Sequence, residues 1–143
     1  DSGRNFVACD QYYWTSGENP QQITQTLIGI EINGANFPFF GLFPKSSVGK
    51  FFGAVLDYNN PSLPKEFTDK YRIECQNSVY FNQFLNSQIC DFYLKQSVFS
   101  TVCGGKYLVI YHLHRVLSPQ EILDRLKFIE GMANLFVRSG NFR

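Results

Sequence analysis

Two dipeptides constrain this chain more than anything else in it: Asn33-Gly34 and Gly104-Gly105. Each sits between runs of apolar and β-branched residues. Each also suits the type I′ or II′ turns that join neighbouring antiparallel strands. Before the first dipeptide, Ile28, Ile30 and Ile32 alternate onto one face in the parity of Thr24 and Thr26, which predicts a strand over residues 23–32. The returning strand would be residues 36–43, with Pro38 demoting part of it to an edge or a bulge. The second dipeptide predicts a hairpin between residues 97–103 and 106–114. Residues 2–14, with Val7, Tyr12, Tyr13 and Trp14, add another strand, and Gly17-Glu18-Asn19-Pro20 reads as the loop after it.

Residues 46–58 carry two conflicting signals. Val48, Phe51, Phe52, Val55 and Leu56 have helical spacing, whereas Gly49 and Gly53 would each cost about 1 kcal/mol in a helix interior. The glycines tip the segment towards a buried strand with a bulge at Gly53. Residues 59–64 hold Pro61, Pro64 and paired Asn and read as a surface loop, with a short strand following at 71–75. Ser78 can then cap a helix running to about Lys95, its core stripe being Phe81, Phe84, Leu85, Gln88 and Phe92, with Asn82, Asn86 and Cys90 on the far side. The last helix opens on Ser118-Pro119-Gln120-Glu121, a capping box with Pro at the first helical position. It is expected to end near Arg138, where Gly140 can supply a left-handed cap. Two hairpins and two helices give an α+β domain: a largely antiparallel sheet with helices packed on it.

At 143 residues this reads as a single domain over 1–143. With a start at Asp1 rather than Met, the expectation is a fragment of a longer or processed chain. Thirteen basic against twelve acidic residues give a net charge of +1, with no basic cluster to serve nucleic acid. No apolar run is long enough to span a bilayer. Cys9, Cys75, Cys90 and Cys103 lack the spacing of a metal finger or a dense disulfide scaffold and read as buried free thiols.

The segments Phe51-Phe52-Gly53-Ala54-Val55-Leu56-Asp57-Tyr58-Asn59, Tyr71-Arg72-Ile73 and Gly104-Gly105-Lys106-Tyr107-Leu108-Val109-Ile110-Tyr111, with the helix after the last, carry a resemblance. Between Gly29 and Phe136 the chain resembles an uncharacterised family of bacterial domains usually carried behind two membrane-spanning helices. The resemblance implies a domain tethered at the cytosolic face of a membrane, with the spans upstream of Asp1. It implies no activity and no functional residues.

Motifs for catalysis are sparse. His112-Leu113-His114 would place both imidazoles on one strand face, where they could meet one metal. The spacing supplies no third ligand, so the pair reads as polar residues where a buried strand reaches water, and a metal-dependent enzyme using them is the minority reading. With a two-residue turn that sets Cys103 opposite Lys106, His112 falls about 20 Å along the strand, far beyond the ~3 Å a Cys–His pair needs. No nucleophile elbow, zinc-protease motif or P-loop occurs. No cofactor is expected.

The apolar features point to binding instead. Phe37-Pro38-Phe39-Phe40-Gly41-Leu42-Phe43 would put Phe37, Phe39, Gly41 and Phe43 on one face, and Phe40 and Leu42 on the other. Two apolar faces mean a central strand, or one buried face and one occupied by a partner. On the last helix, Ile122, Leu126, Ile129, Ala133, Phe136 and Val137 form the core stripe, while Phe128, Gly131 and Leu135 make a second strip that another subunit could cover. The expected function is a non-catalytic interaction or scaffold domain with a protein partner or self-association, centred on Phe128, Gly131 and Leu135. The alternative is an apolar small-ligand or lipid-binding domain whose cavity is lined by Phe39, Phe43, Phe51 and Tyr111.

Overall fold

A computed structural model describes residues 4–46, 60–96 and 98–140. Among the described residues six strands form one antiparallel sheet: β1 (Arg4–Trp14), β2 (Gln22–Ile32), β3 (Phe37–Pro44), β4 (Tyr71–Cys75), β5 (Ser100–Gly105) and β6 (Tyr107–Tyr111). Their spatial order is β1-β2-β6-β5-β3-β4. Four helices accompany them: α1 (Lys65–Lys70), α2 (Ser78–Phe84), α3 (Ser87–Leu94) and α4 (Pro119–Gly140). The α+β architecture is the one the patterning predicts. The helix-or-strand question at residues 46–58 lies almost wholly outside the described residues.

The order of strands corrects the first hairpin. Asn33-Gly34 does turn, with Gly34 at φ +82° and the Ala35 N–H donating to Ile32 O at 3.1 Å. The turn does not lay β3 against β2, however. One edge of β2 is taken by β1 along eleven residue pairs and the other by β6. The β5–β6 hairpin is threaded between β2 and β3, and its turn is held there: Ile32 N–H donates to Lys106 O at 2.8 Å, and Phe37 pairs with Gly105. In that hairpin Gly104 pairs with Tyr107, so the loop is Gly105-Lys106, one residue later than expected, with Gly105 at φ +59°.

Strand parity also departs from expectation in β3. The pairing to β5 slips between Phe37 and Phe40, so Phe37 joins Phe40 and Leu42 on the helix-covered face. Pro38 lies inside that irregularity, where its missing N–H leaves no ladder bond to lose.

Helices cover the sheet face that carries Ile28, Ile30, Leu108, Ile110, Phe40 and Leu42. At its centre the Phe40 ring meets Phe81, Phe84 and Phe136 at centroid distances of 4.9, 5.2 and 5.8 Å. The helix expected from Ser78 to Lys95 is two helices. Asn86 caps the second, accepting from the Ile89 N–H at 3.0 Å, and its Nδ2 donates to Ser139 Oγ in α4 at 3.0 Å. The break resets the phase, so in α3 Ile89, Cys90 and Tyr93 turn inward while Gln88 is exposed. In α4 the capping box is present in both directions: Ser118 N–H to Glu121 Oε2 at 2.8 Å, and Glu121 N–H to Ser118 Oγ at 3.3 Å. The helix continues to Gly140 rather than stopping at Arg138.

Candidate interaction surface

Among the described residues β1 lies at one end of the sheet, opposite β4, and is its longest strand together with β2; ten of its eleven residues are exposed, with Arg4 half-buried. The bonding pattern shows which of its backbone groups point away from β2. Thr15 N–H, just past the strand, donates to Gln21 O at 2.8 Å, so odd-numbered residues of β1 point their N–H and C=O groups towards β2. On β2, Thr26 and Ile32 donate outward, to Arg115 O and Lys106 O, as the same alternation requires. Even-numbered residues Arg4 to Trp14 therefore present N–H and C=O groups to the open edge. Natural edges are usually blunted by Pro, charged side chains or a bulge; β1 has no Pro and no bulge, its register to β2 running unbroken, and its two charges, Arg4 and Asp10, are both bonded within the chain.

Side chains anchor β1 to its neighbour on both faces. Asp10 accepts from Thr26 Oγ1 at 2.5 Å, and Thr26 Oγ1 in turn accepts from Leu117 N–H at 2.9 Å, tying the strand to the start of α4. Arg4 Nη2 donates to Asn134 Oδ1 at 2.6 Å and Asn5 Nδ2 to Glu31 Oε2 at 3.1 Å. Glu31 also pairs with Lys106, and the Lys106 hydrogen bond, followed by that from Asn5, lowers its pKa. Gly29 lies so close beneath Val7 that a Cβ there would come within 2.9 Å of Val7 Cγ1. The large side chains Phe6, Val7, Tyr12, Tyr13 and Trp14 stay open to water, with Tyr12 70% and Trp14 65% exposed.

The residues singled out in the sequence are distributed differently. Of the four aromatics expected around a cavity, Phe51 is outside the described residues. Phe43 and Tyr111 are buried on the face away from the helices, Phe43 opposite Arg72 of β4 and Tyr111 opposite Ser100 of β5. Phe39 is four residues along β3 from Phe43 and half exposed, its ring lying on Gly104, where a Cβ would meet it at 2.4 Å. On α4, Phe128 stacks on Phe92 of α3 at 4.9 Å and meets Phe99 edge-on at 4.9 Å. Gly131 faces the same Phe92 ring, and Leu135 packs against the core. Phe128 and Gly131 of the second strip thus lie against α3 of their own chain, and all three residues keep part of their surface exposed.

The histidines do not share a strand face. β6 ends at Tyr111, and a turn closed by Arg115 N–H to His112 O at 3.2 Å follows, with His114 at φ +63°. Among the described residues no three His, Cys, Asp or Glu side chains are grouped to hold a metal ion. Of the cysteines, Cys75, Cys90 and Cys103 are buried, and burial raises each thiol pKa, that of Cys90 to about 11. Cys9 corrects the expectation of four buried thiols, since it is exposed on β1. Cys103 pairs with Leu108, about 13 Å of strand away from His112.

A polar cluster that sequence spacing does not reveal gathers around Phe99. The Arg125 guanidinium lies over the Phe99 and Phe128 rings at 5.9 and 5.7 Å, and the His112 ring is 6.1 Å from Phe99. Burial, then Arg125 and Arg115, hold the His112 pKa below its usual value, which favours the neutral imidazole. Burial pushes the Tyr71 hydroxyl up to about 12. These groups come from β4, the end of β6 and α4, so only the fold assembles them. No described helix is long and apolar enough to cross a membrane. No family model, curated protein or solved structure matches this chain.

Proposed function

We propose that this chain is a non-catalytic interaction domain that binds by strand addition to the open edge of β1. The observation that carries the reading is an eleven-residue edge strand with outward N–H and C=O groups and exposed Tyr12 and Trp14. Main-chain bonding supplies affinity in this mode, and side chains alternating on either side of the strand supply specificity. Tyr and Trp suit such a role because they bring large amphipathic contact area. The rigid helix-covered layer behind β2 holds the edge in an extended shape before any partner arrives.

A photo-crosslinking residue placed at Tyr12 in the cell of origin tests this, with Asp69 on α1 as the control position. Crosslinks several-fold stronger at Tyr12, and lost when Ala8→Pro removes an outward N–H donor, are expected. Equal yields at the two positions, or yields at Tyr12 insensitive to Ala8→Pro, would reject the reading.

A further inference from the structure

We infer that the partner at this edge is a second copy of the chain, the two β1 strands pairing antiparallel about a two-fold axis at Cys9 to make one continuous sheet. The inference rests on the strand-addition reading above and names its occupant.

Backbone geometry restricts the pairing sharply. The N–H and C=O groups that point away from β2 belong to even-numbered residues of β1, and no other described strand pairs with them, so even must face even across the axis. A two-fold at Cys9 satisfies this over the whole strand. It sets Ala8 against the partner's Asp10, Phe6 against the partner's Tyr12 and Arg4 against the partner's Trp14. The nearest alternatives that keep the parity slide the strands by two residues. One places Asp10 directly opposite the partner's Asp10, where like charges repel. The other leaves Tyr13 and Trp14 unpaired. With the axis at Cys9, the Asp10 carboxylates are only diagonal neighbours, and each is already bonded to the Thr26 hydroxyl of its own β2.

Side-chain chemistry agrees with this register. Phe6 beside Tyr12 and Arg4 beside Trp14 are an aromatic pair and a cation–π pair, both favourable across antiparallel strands. Cys9 and the partner's Cys9 meet at a non-hydrogen-bonded position, where Cα atoms come about 4.5 Å apart, within the range a disulfide can bridge. The exposed parts of Phe6, Val7, Tyr12, Tyr13 and Trp14 total on the order of 600 Å² per copy, which caps what these side chains can bury between two copies at about 1,200 Å², the lower bound of specific interfaces. Both helix layers then lie on one side of the joint sheet.

Sedimentation velocity on the purified chain at tens of micromolar is expected to show twice the 16.5 kDa mass. Ala8→Pro, which an edge strand tolerates on its solvent side, should return the monomer. Phe6→Lys/Tyr12→Lys, which sets like charges opposite each other twice, should do the same and stands in if the proline variant fails to fold. Cys9 reports the register: oxidised glutathione takes two electrons from two Cys9 thiols, which lose two protons and join as a disulfide, and it leaves as two reduced glutathiones. Crosslinking should be at least an order of magnitude faster in the wild type than in the lysine variant, while the three buried thiols stay reduced. A wild-type monomer, a dimer that survives both variants, or equal crosslinking rates would overturn the inference. A monomer in solution that still crosslinks to another protein through position 12 in cells rejects self-pairing and keeps strand addition. A monomer with no such crosslink removes both.

Discussion

Strand β1 and the β5–β6 hairpin are built from the same antiparallel ladder and have opposite surroundings. β1 pairs along eleven residues, more than twice the length of β6, yet its side chains stand in water. On the hairpin, Leu108, Ile110, Thr101 and Cys103 are buried beneath the helices. A backbone hydrogen bond contributes only about 0.5–1.5 kcal/mol net, because water offers the unfolded chain the same bonds, whereas a fully buried Leu or Ile contributes roughly 1.5–3 kcal/mol. Ladder length therefore says little about what holds a strand. β5–β6 is the structural centre of the molecule, and β1 is a well-formed surface.

Leu108→Ala should cut deepest, destabilising the chain by about 2–5 kcal/mol in urea unfolding, since it opens a cavity in the threaded hairpin. A loss under about 1 kcal/mol would mean the centre lies elsewhere. Tyr93→Phe comes next. The Tyr93 hydroxyl lies 2.6 Å from Thr101 Oγ1 on β5 in a fully buried site, so its removal should cost about 1–2 kcal/mol by leaving the Thr101 hydroxyl short of a partner. No change on that substitution would show that the helix layer grips β5 by packing alone.

Smaller effects sharpen the contrast from the other side. At Gly131 an added Cβ would sit 3.6 Å from the Phe92 ring, an ordinary contact, so Gly131→Ala should stabilise α4 by up to about 1 kcal/mol through helix propensity. Destabilisation there would reveal that α3 and α4 need a close backbone approach. Tyr12→Ala should move the stability of a chain held monomeric by Ala8→Pro by no more than about 0.5 kcal/mol, as expected of an exposed position. A larger loss, read by thermal unfolding in that background, would make β1 part of the core.

Local features were legible in the residues alone. The Ser118–Glu121 capping box, the strand at Tyr71–Cys75 and the alternation of Ile28, Ile30 and Ile32 appear where they were expected, because each depends on neighbours a few positions away. The Gly104-Gly105 hairpin is present, but its loop is shifted by one residue, which seats Cys103 opposite Leu108 in the core. The split at Asn86 was less legible, since an Asn at a helical position and an Asn that caps read alike until Ser139 arrives from α4. Of the candidate surface, residues 2–14 show a strand-like composition, but apolar residues at both parities, such as Phe6 and Val7, suit a buried centre as well as an exposed edge.

By itself, then, the sequence determined the local conformations and the α+β class: which residues turn, which alternate, and where the last helix begins. Tertiary structure alone decided which strands lie side by side. Asn33-Gly34 turns the chain whatever follows, but whether β3 returns to β2 depends on what else competes for that edge. Here β6 takes it and brings β5 between them. The same competition left β1 outermost and drew Phe128 under Phe92. Edges and faces are allotted by burial summed over the whole chain, and no short window of residues contains that sum.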